Sequence, residues 1–152
     1  MLLPDRLGDL TELIELDLHE CSSLVSLPDR LGDLMGLTYP NLQNCSSLGS
    51  LPDRLGDLKG LTKLGLFGCS SLGSLPDGLG DLTELTEFEL SHCRSLVSLP
   101  DQLWDLTGFT KFHLSCCPLV SLPDRLLDLK GLTELDLQGC RAAARWLVAR
   151  PS

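Results

Sequence analysis

Leucine recurs in this chain with a fixed rhythm. Across residues 51–74 it stands at Leu51, Leu55, Leu58, Leu61, Leu64, Leu66 and Leu72, with Cys69 between and polar or small residues elsewhere. Leu64 and Leu66 flank a single residue, the spacing of a strand, in which alternate side chains share a face. Leu55 and Leu58 are three apart and follow Pro52-Asp53. A proline there suits the start of a helical turn, and an acidic side chain suits its amino end. The spacing predicts a short strand, a turn and about one helical turn, none of which buries its leucines alone.

The same pattern returns every 24 residues. Units begin at Leu3, Leu27, Leu51, Leu75, Leu99 and Leu122, each followed by Pro-Asp, and the fifth is one residue short around Cys117-Pro118-Leu119. Six tandem units of this length specify a solenoid, in which each unit packs only on its neighbours. The repeat domain is read as residues 1–140. Residues 141–152 are read as a tail with two alternatives, a short capping helix with Ala143, Trp146 and Leu147 on one face or a frayed segment out of register with the repeats.

Composition sharpens this reading. Hydrophobic residues make up 43% of the chain but aromatics only 5%, so the apolar interior is almost entirely leucine. That suits an environment repeated many times. Net charge is −9, with 21 acidic against 12 basic residues. This disfavours a nucleic-acid surface, which needs clustered Lys and Arg. No apolar run approaches a membrane span, and Met1-Leu2-Leu3-Pro4-Asp5 does not read as a signal peptide, so a cytoplasmic location is expected.

The consensus L-x-x-L-x-L-x-x-C-x-x-L resembles the leucine-rich-repeat signature, and the resemblance runs from residue 3 to 140. The variant with Cys-Ser-Ser-Leu, Leu-Pro and Leu-Gly-x-Leu is similar to repeats of plant intracellular nucleotide-binding immune receptors. It is similar also to repeat-only proteins of plants and some bacteria. No nucleotide-binding segment is present, so the chain is not a full receptor. The resemblance implies an α/β fold, a right-handed solenoid. Six parallel strands would line its concave face, with short helical or 3-10 segments on its convex face. It also implies a non-enzymatic module that binds protein.

Where units are nearly identical, the positions that vary are informative. One outward strand column reads Glu15, Tyr39, Lys63, Glu87, Lys111, Glu134. The next reads Asp17, Asn41, Gly65, Glu89, His113, Asp136, and a third includes Phe67. Tyr39 and Phe67 are the candidate anchors, since aromatics dominate binding hot spots. The acidic lean of these columns points to a protein partner with a basic patch. The competing readings are solvated surface that drifted after duplication, and a scaffold that self-associates through an uncapped amino-terminal end.

Other columns read as structural. Cys21, Cys45, Cys69, Cys93, Cys117 and Cys140 occupy an inward position after each strand, where a small side chain fills the core and bonds neighbouring backbone. Stacked parallel side chains bridge poorly, and there is no C-x-x-C pair to hold zinc. Cys116 breaks its column and is expected to face outward near His92 and His113. That thiol–imidazole pair lacks a third partner, and no catalytic, phosphate-binding or dinucleotide motif occurs, so neither enzyme nor cofactor is expected. Two departures stand out. Pro40 replaces a strand leucine and should weaken pairing. Trp104 and Leu127 replace a repeated glycine and are expected to form an apolar ledge on the convex side.

Overall fold

The structure, a computed structural model, describes residues 1–143. Each unit places a three-residue strand at its centre: β1 (Glu15–Asp17), β2 (Tyr39–Asn41), β3 (Lys63–Gly65), β4 (Glu87–Glu89), β5 (Lys111–His113) and β6 (Glu134–Asp136). They pair in parallel and in chain order as one open sheet. Register follows the repeat, so Leu64 lies beside Phe88 and Phe88 beside Phe112. The units therefore form a single stack, a solenoid.

The helical pieces are 3-10 turns, at Asp5–Asp9, Asp29–Asp33, Asp53–Asp57, Asp77–Asp81, Asp101–Asp105 and Asp124–Asp128. Pro52 precedes its turn in an extended conformation (φ −67°, ψ 143°), as its ring permits. The amide of Leu55 donates to the Pro52 carbonyl, and that of Leu58 to Leu55, each closing a three-residue step. A 3-10 turn eclipses residues three apart. Leu55 and Leu58 therefore point the same way and are wholly buried. The glycine inside most turns has a steric cause. A Cβ on Gly32 would lie 2.6 Å from the Arg54 carbonyl oxygen of the next turn.

The core is one column of leucines and cysteines. Its thiols are hydrogen-bond donors: Cys69 donates to the Leu42 carbonyl at 3.1 Å and Cys93 to Leu66 at 3.2 Å, with Cys45 and Cys117 placed alike. Burial holds the Cys69 thiol neutral, its pKa pushed up to about 12, and raises Cys93 as well. Ahead of the strands, the hydroxyls of Thr62, Thr86 and Thr110 each donate to the threonine carbonyl one unit back. On the turns, Arg30 spans Asp9 and Asp33, and Arg54 spans Asp33 and Asp57, all at 2.8–3.0 Å. Gly78 and Gln102 interrupt this ladder before Arg125 resumes it with Asp105.

Pro40 weakens the sheet where expected. β1 and β2 share three residue pairs, whereas β2 and β3 share only Asn41 with Gly65. The expected ledge does not form. Trp104 turns inward, is 4% exposed, and stacks on Phe112 at 5.7 Å, while Leu127 is 49% exposed. Phe112 also meets Phe88 and Phe109, so unit five carries an aromatic interior that receives the indole. The backbone opens to admit it: ψ is 105° at Leu106 but 60–71° at its counterparts Leu10, Leu34, Leu58, Leu82 and Leu129. At the far end, residues 141–143 begin a helical turn that buries Ala142 and Ala143. Trp146 and Leu147, read as the rest of the cap, lie outside the described residues.

Candidate functional site

The outward strand positions make one continuous surface, and each expected residue sits on it. Glu15, Asp17, Lys63 and Glu134 are exposed. Tyr39, Asn41, Phe67, Glu87, Glu89, Lys111, His113 and Asp136 are half-buried among their neighbours. The surface is hollowed at its middle into an open depression of about 270 Å³. Tyr39, Lys63, Glu87, Glu89, Lys111, His113 and Glu134 converge there, while Glu15, Asp17, Asn41, Phe67 and Asp136 stand outside its lining.

Gly65, a column member that the sequence does not single out, shapes the depression. Gly65 lacks a side chain at a position where other units carry Asp, Asn, Glu or His, which leaves the buried Leu64 and Phe88 as part of the floor. Tyr39 leans across strands toward it, and a Cβ on Gly65 would stand 3.2 Å from the Tyr39 hydroxyl and 3.4 Å from the Gln43 amide nitrogen. The glycine was visible as the smallest member of a polar column. That it makes room for a tyrosine one strand away was not.

Electrostatics on this surface are largely paired. Lys63 Nζ lies 3.3 Å from Glu87, and Lys111 Nζ lies 3.8 Å from Glu134. His113 sits between two carboxylates, its Nδ1 2.8 Å from Glu89 and its Nε2 3.6 Å from Glu134. His19 Nδ1 lies 2.8 Å from Asp17. That hydrogen bond lowers the Asp17 pKa and raises the His19 pKa. Such exposed pairs contribute little to stability, but they fix which charges remain open to a partner.

The second column also has a local task. Side-chain oxygens of Asp17, Asn41, Glu89 and Asp136 each accept the amide of the residue two places on, at 2.7–3.2 Å. Side chains of this type commonly turn the backbone in that way. Just past that turn the backbone enters the left-handed region, at Glu20 (φ 61°), Asn44 (60°), Gly68 (74°), His92 (63°), Cys116 (59°) and Gly139 (70°). Asn and Gly in this column were the legible sign, since they tolerate that region best.

The third column is not uniformly open. Ser91 and Ser115 are buried, at 3% and 8% exposure, and Phe67 packs against the His92 ring at 5.0 Å. Cys116 is exposed, and among the described residues no hydrogen bond joins it to His92. No group of three His, Cys, Asp or Glu among the described residues is arranged to hold a metal ion. No helix among them is long and apolar enough to cross a membrane.

A parallel sheet laid down one strand per leucine-rich unit, with a 3-10 turn on the opposite side, defines a leucine-rich-repeat solenoid, and the strand surface is its concave face. Solved structures agree. The leucine-rich repeat domain of the type III effector XopL matches with a TM-score of 0.81 and 27% identity, over 93% of this chain and 49% of that one. The Drosophila Toll–Spätzle complex matches at 0.73 and 29%, over 91% and 19%. The Arabidopsis receptor kinase HAESA ectodomain with its IDA peptide hormone ligand matches at 0.69 and 25%, over 90% and 24%. This chain thus spans half or less of each. No family profile and no curated relative matches it.

Proposed function

We propose that this chain is a protein-binding module acting through its concave strand face, the recognition segment of a sensor or adaptor like those of plant intracellular immune receptors. One observation carries the reading. The outward strand side chains, which differ between near-identical units, make one solvent-facing surface around an open depression that Tyr39 helps to line. Packing accounts for the leucines but leaves these positions free to vary. Seven unpaired cysteines suit work in a reducing compartment, and hence a cytoplasmic one. The solved complexes of similar fold, Toll with Spätzle and HAESA with a peptide hormone, support protein recognition as the general use of such a surface. The test is capture of partners with the wild-type chain and with Tyr39→Ala/Phe67→Ala. A partner held by the first and lost from the second supports the reading, and equal capture overturns it.

Assembly through the end of the stack is the competing use. Leu10 is 53% exposed although its counterparts Leu34 and Leu58 are wholly buried. Sedimentation across a concentration series separates the two, because stacking through Leu10 raises the apparent mass and Leu10→Glu abolishes the rise.

A further inference from the structure

We infer that the concave depression seats one long cationic side chain of a protein partner, an arginine or a lysine, with its stem over Gly65 and its charged head on Glu89. The inference deepens the proposed binding role and rests on it. Charge is the first basis. Two lysines, Lys63 and Lys111, line the depression with three carboxylates, Glu87, Glu89 and Glu134, so one negative charge is in excess when histidine is neutral. Each lysine already has its carboxylate: Lys63 lies 3.3 Å from Glu87, and Lys111 lies 3.8 Å from Glu134. Among the described residues no lysine or arginine pairs with Glu89. Its Oε1 accepts the Ser91 amide at 2.7 Å, and its Oε2 lies 2.8 Å from His113 Nδ1. An ionised carboxylate only accepts, so Nδ1 carries the hydrogen and the neutral ring brings no offsetting charge. A carboxylate offers about four acceptor positions, which leaves Glu89 capacity for a further donor.

Shape is the second basis. Gly65 pairs with Glu89 across β3 and β4, and the space above it exposes an apolar floor of Leu64 and Phe88. Lysine and arginine lay their methylene stems along such a surface and keep the charged head on polar groups. Tyr39 supplies a wall from β2. A Cβ on Gly65 would stand 3.4 Å from a Tyr39 ring carbon and 3.2 Å from its hydroxyl. A cation within about 6 Å of an aromatic ring is attracted to its face. The hollow thus has an apolar floor, an aromatic wall on one side and an uncompensated carboxylate on the other. An anionic occupant would add to the excess negative charge. An apolar one would cover Glu89 without pairing it, which costs free energy. A second copy of this chain is disfavoured as occupant, because its net charge of −9 opposes its approach.

The test uses the full chain at about pH 8 and two capped peptides. One is Ser-Gly-Arg-Gly-Ser, and the other has citrulline, which keeps arginine's shape without its charge. In NMR titrations the arginine peptide should shift the Gly65 and Glu89 amide signals saturably and bind at least about tenfold tighter than the citrulline peptide. Glu89→Gln should erase that preference, and Tyr39→Ala should weaken the arginine peptide severalfold. Glu89→Gln preserves the turn, because at Asn41 an amide oxygen already accepts the backbone amide two places on. Glu15→Gln, outside the depression, should leave binding unchanged. Equal binding of the two peptides, or no shift of these signals, overturns the inference. So does a loss in Glu15→Gln equal to that in Glu89→Gln, which would mean attraction to the overall charge of the chain. If the preference is missing but Tyr39→Ala/Phe67→Ala still loses the captured partner, the strand face stands and only its cationic guest falls. If that variant captures as the wild type does, the binding face falls and the inference with it.

Discussion

The Tyr39 side chain lies across the strand next to its own, over the position of Gly65, where a methyl group would come within 3.2 Å of its hydroxyl. The pair sets the shape of the concave depression. Gly65→Ala should displace the tyrosine rather than unfold the chain, because the atoms that must move are the tips of Tyr39 and Gln43. The thermal midpoint should change by less than the equivalent of about 1 kcal/mol. Partner capture should fall, as is expected also of Tyr39→Ala/Phe67→Ala. A large loss of stability with Tyr39 unmoved in NMR spectra would refute the relationship.

Trp104 and Leu127 occupy the same position of successive units and should respond oppositely to truncation. The buried indole stacks on Phe112, so Trp104→Ala should destabilise the chain by roughly 3–5 kcal/mol. Leu127 is exposed, and Leu127→Ala should cost less than about 0.5 kcal/mol. Urea denaturation followed by tryptophan-independent circular dichroism reads both.

Pro40 supplies no amide to β3, and the pairing of β2 with β3 shrinks to Asn41 and Gly65. Pro40→Leu restores the residue type of units one and three at a buried site. It should stabilise the sheet by about 1 kcal/mol, raising the urea midpoint, with slower amide exchange across β2 and β3. An unchanged midpoint would place the weakness elsewhere.

The thiol column predicts both reactivity and a pH limit. A disulfide-exchange reagent at neutral pH should modify the exposed Cys116 readily and leave the buried Cys45, Cys69, Cys93, Cys117 and Cys140 intact until denaturant is added. For stability, the folded Cys69 pKa is raised from 9.0 to about 12 and that of Cys117 to about 11. The folded state holds these protons more tightly than the unfolded chain. Their stabilisation is complete below pH 9 and declines as pH rises through the folded values. Urea midpoints measured at pH 7, 9 and 10.5 should therefore fall slightly in the first step and mainly in the last.

Much of this was legible because each unit restates the same local instruction. Leu64 and Leu66 announce a strand, Pro52-Asp53 announces a turn, and the cysteines were readable as inward-facing and bonded to backbone. The turns prove tighter than an α-helix, a difference that Leu55 and Leu58 cannot signal since both geometries place them together. What escaped was set by neighbours in other units. Trp104 turns inward to stack on Phe112, which also meets Phe88 and Phe109, and these unremarkable substitutions in two successive units gave no joint warning. The columns of candidate contacts were found, but their division into paired and open charges depends on Lys63 reaching Glu87 and His113 reaching Glu89. The burial of Ser91 and Ser115 was likewise not legible, because it depends on packing around them.

The thiol and hydroxyl bonds that tie each unit to the one before have a modular consequence. Excising residues 51–74 removes the Leu66 carbonyl that receives Cys93, yet it brings Leu42 to the same separation along the chain, the one Cys69 now uses. Thr86 would likewise find Thr38 where it had Thr62. Length can thus change in whole steps of one coil with the thiol and threonine seams resealed, so the reach of the concave surface can be shortened or extended without redesigning the interior.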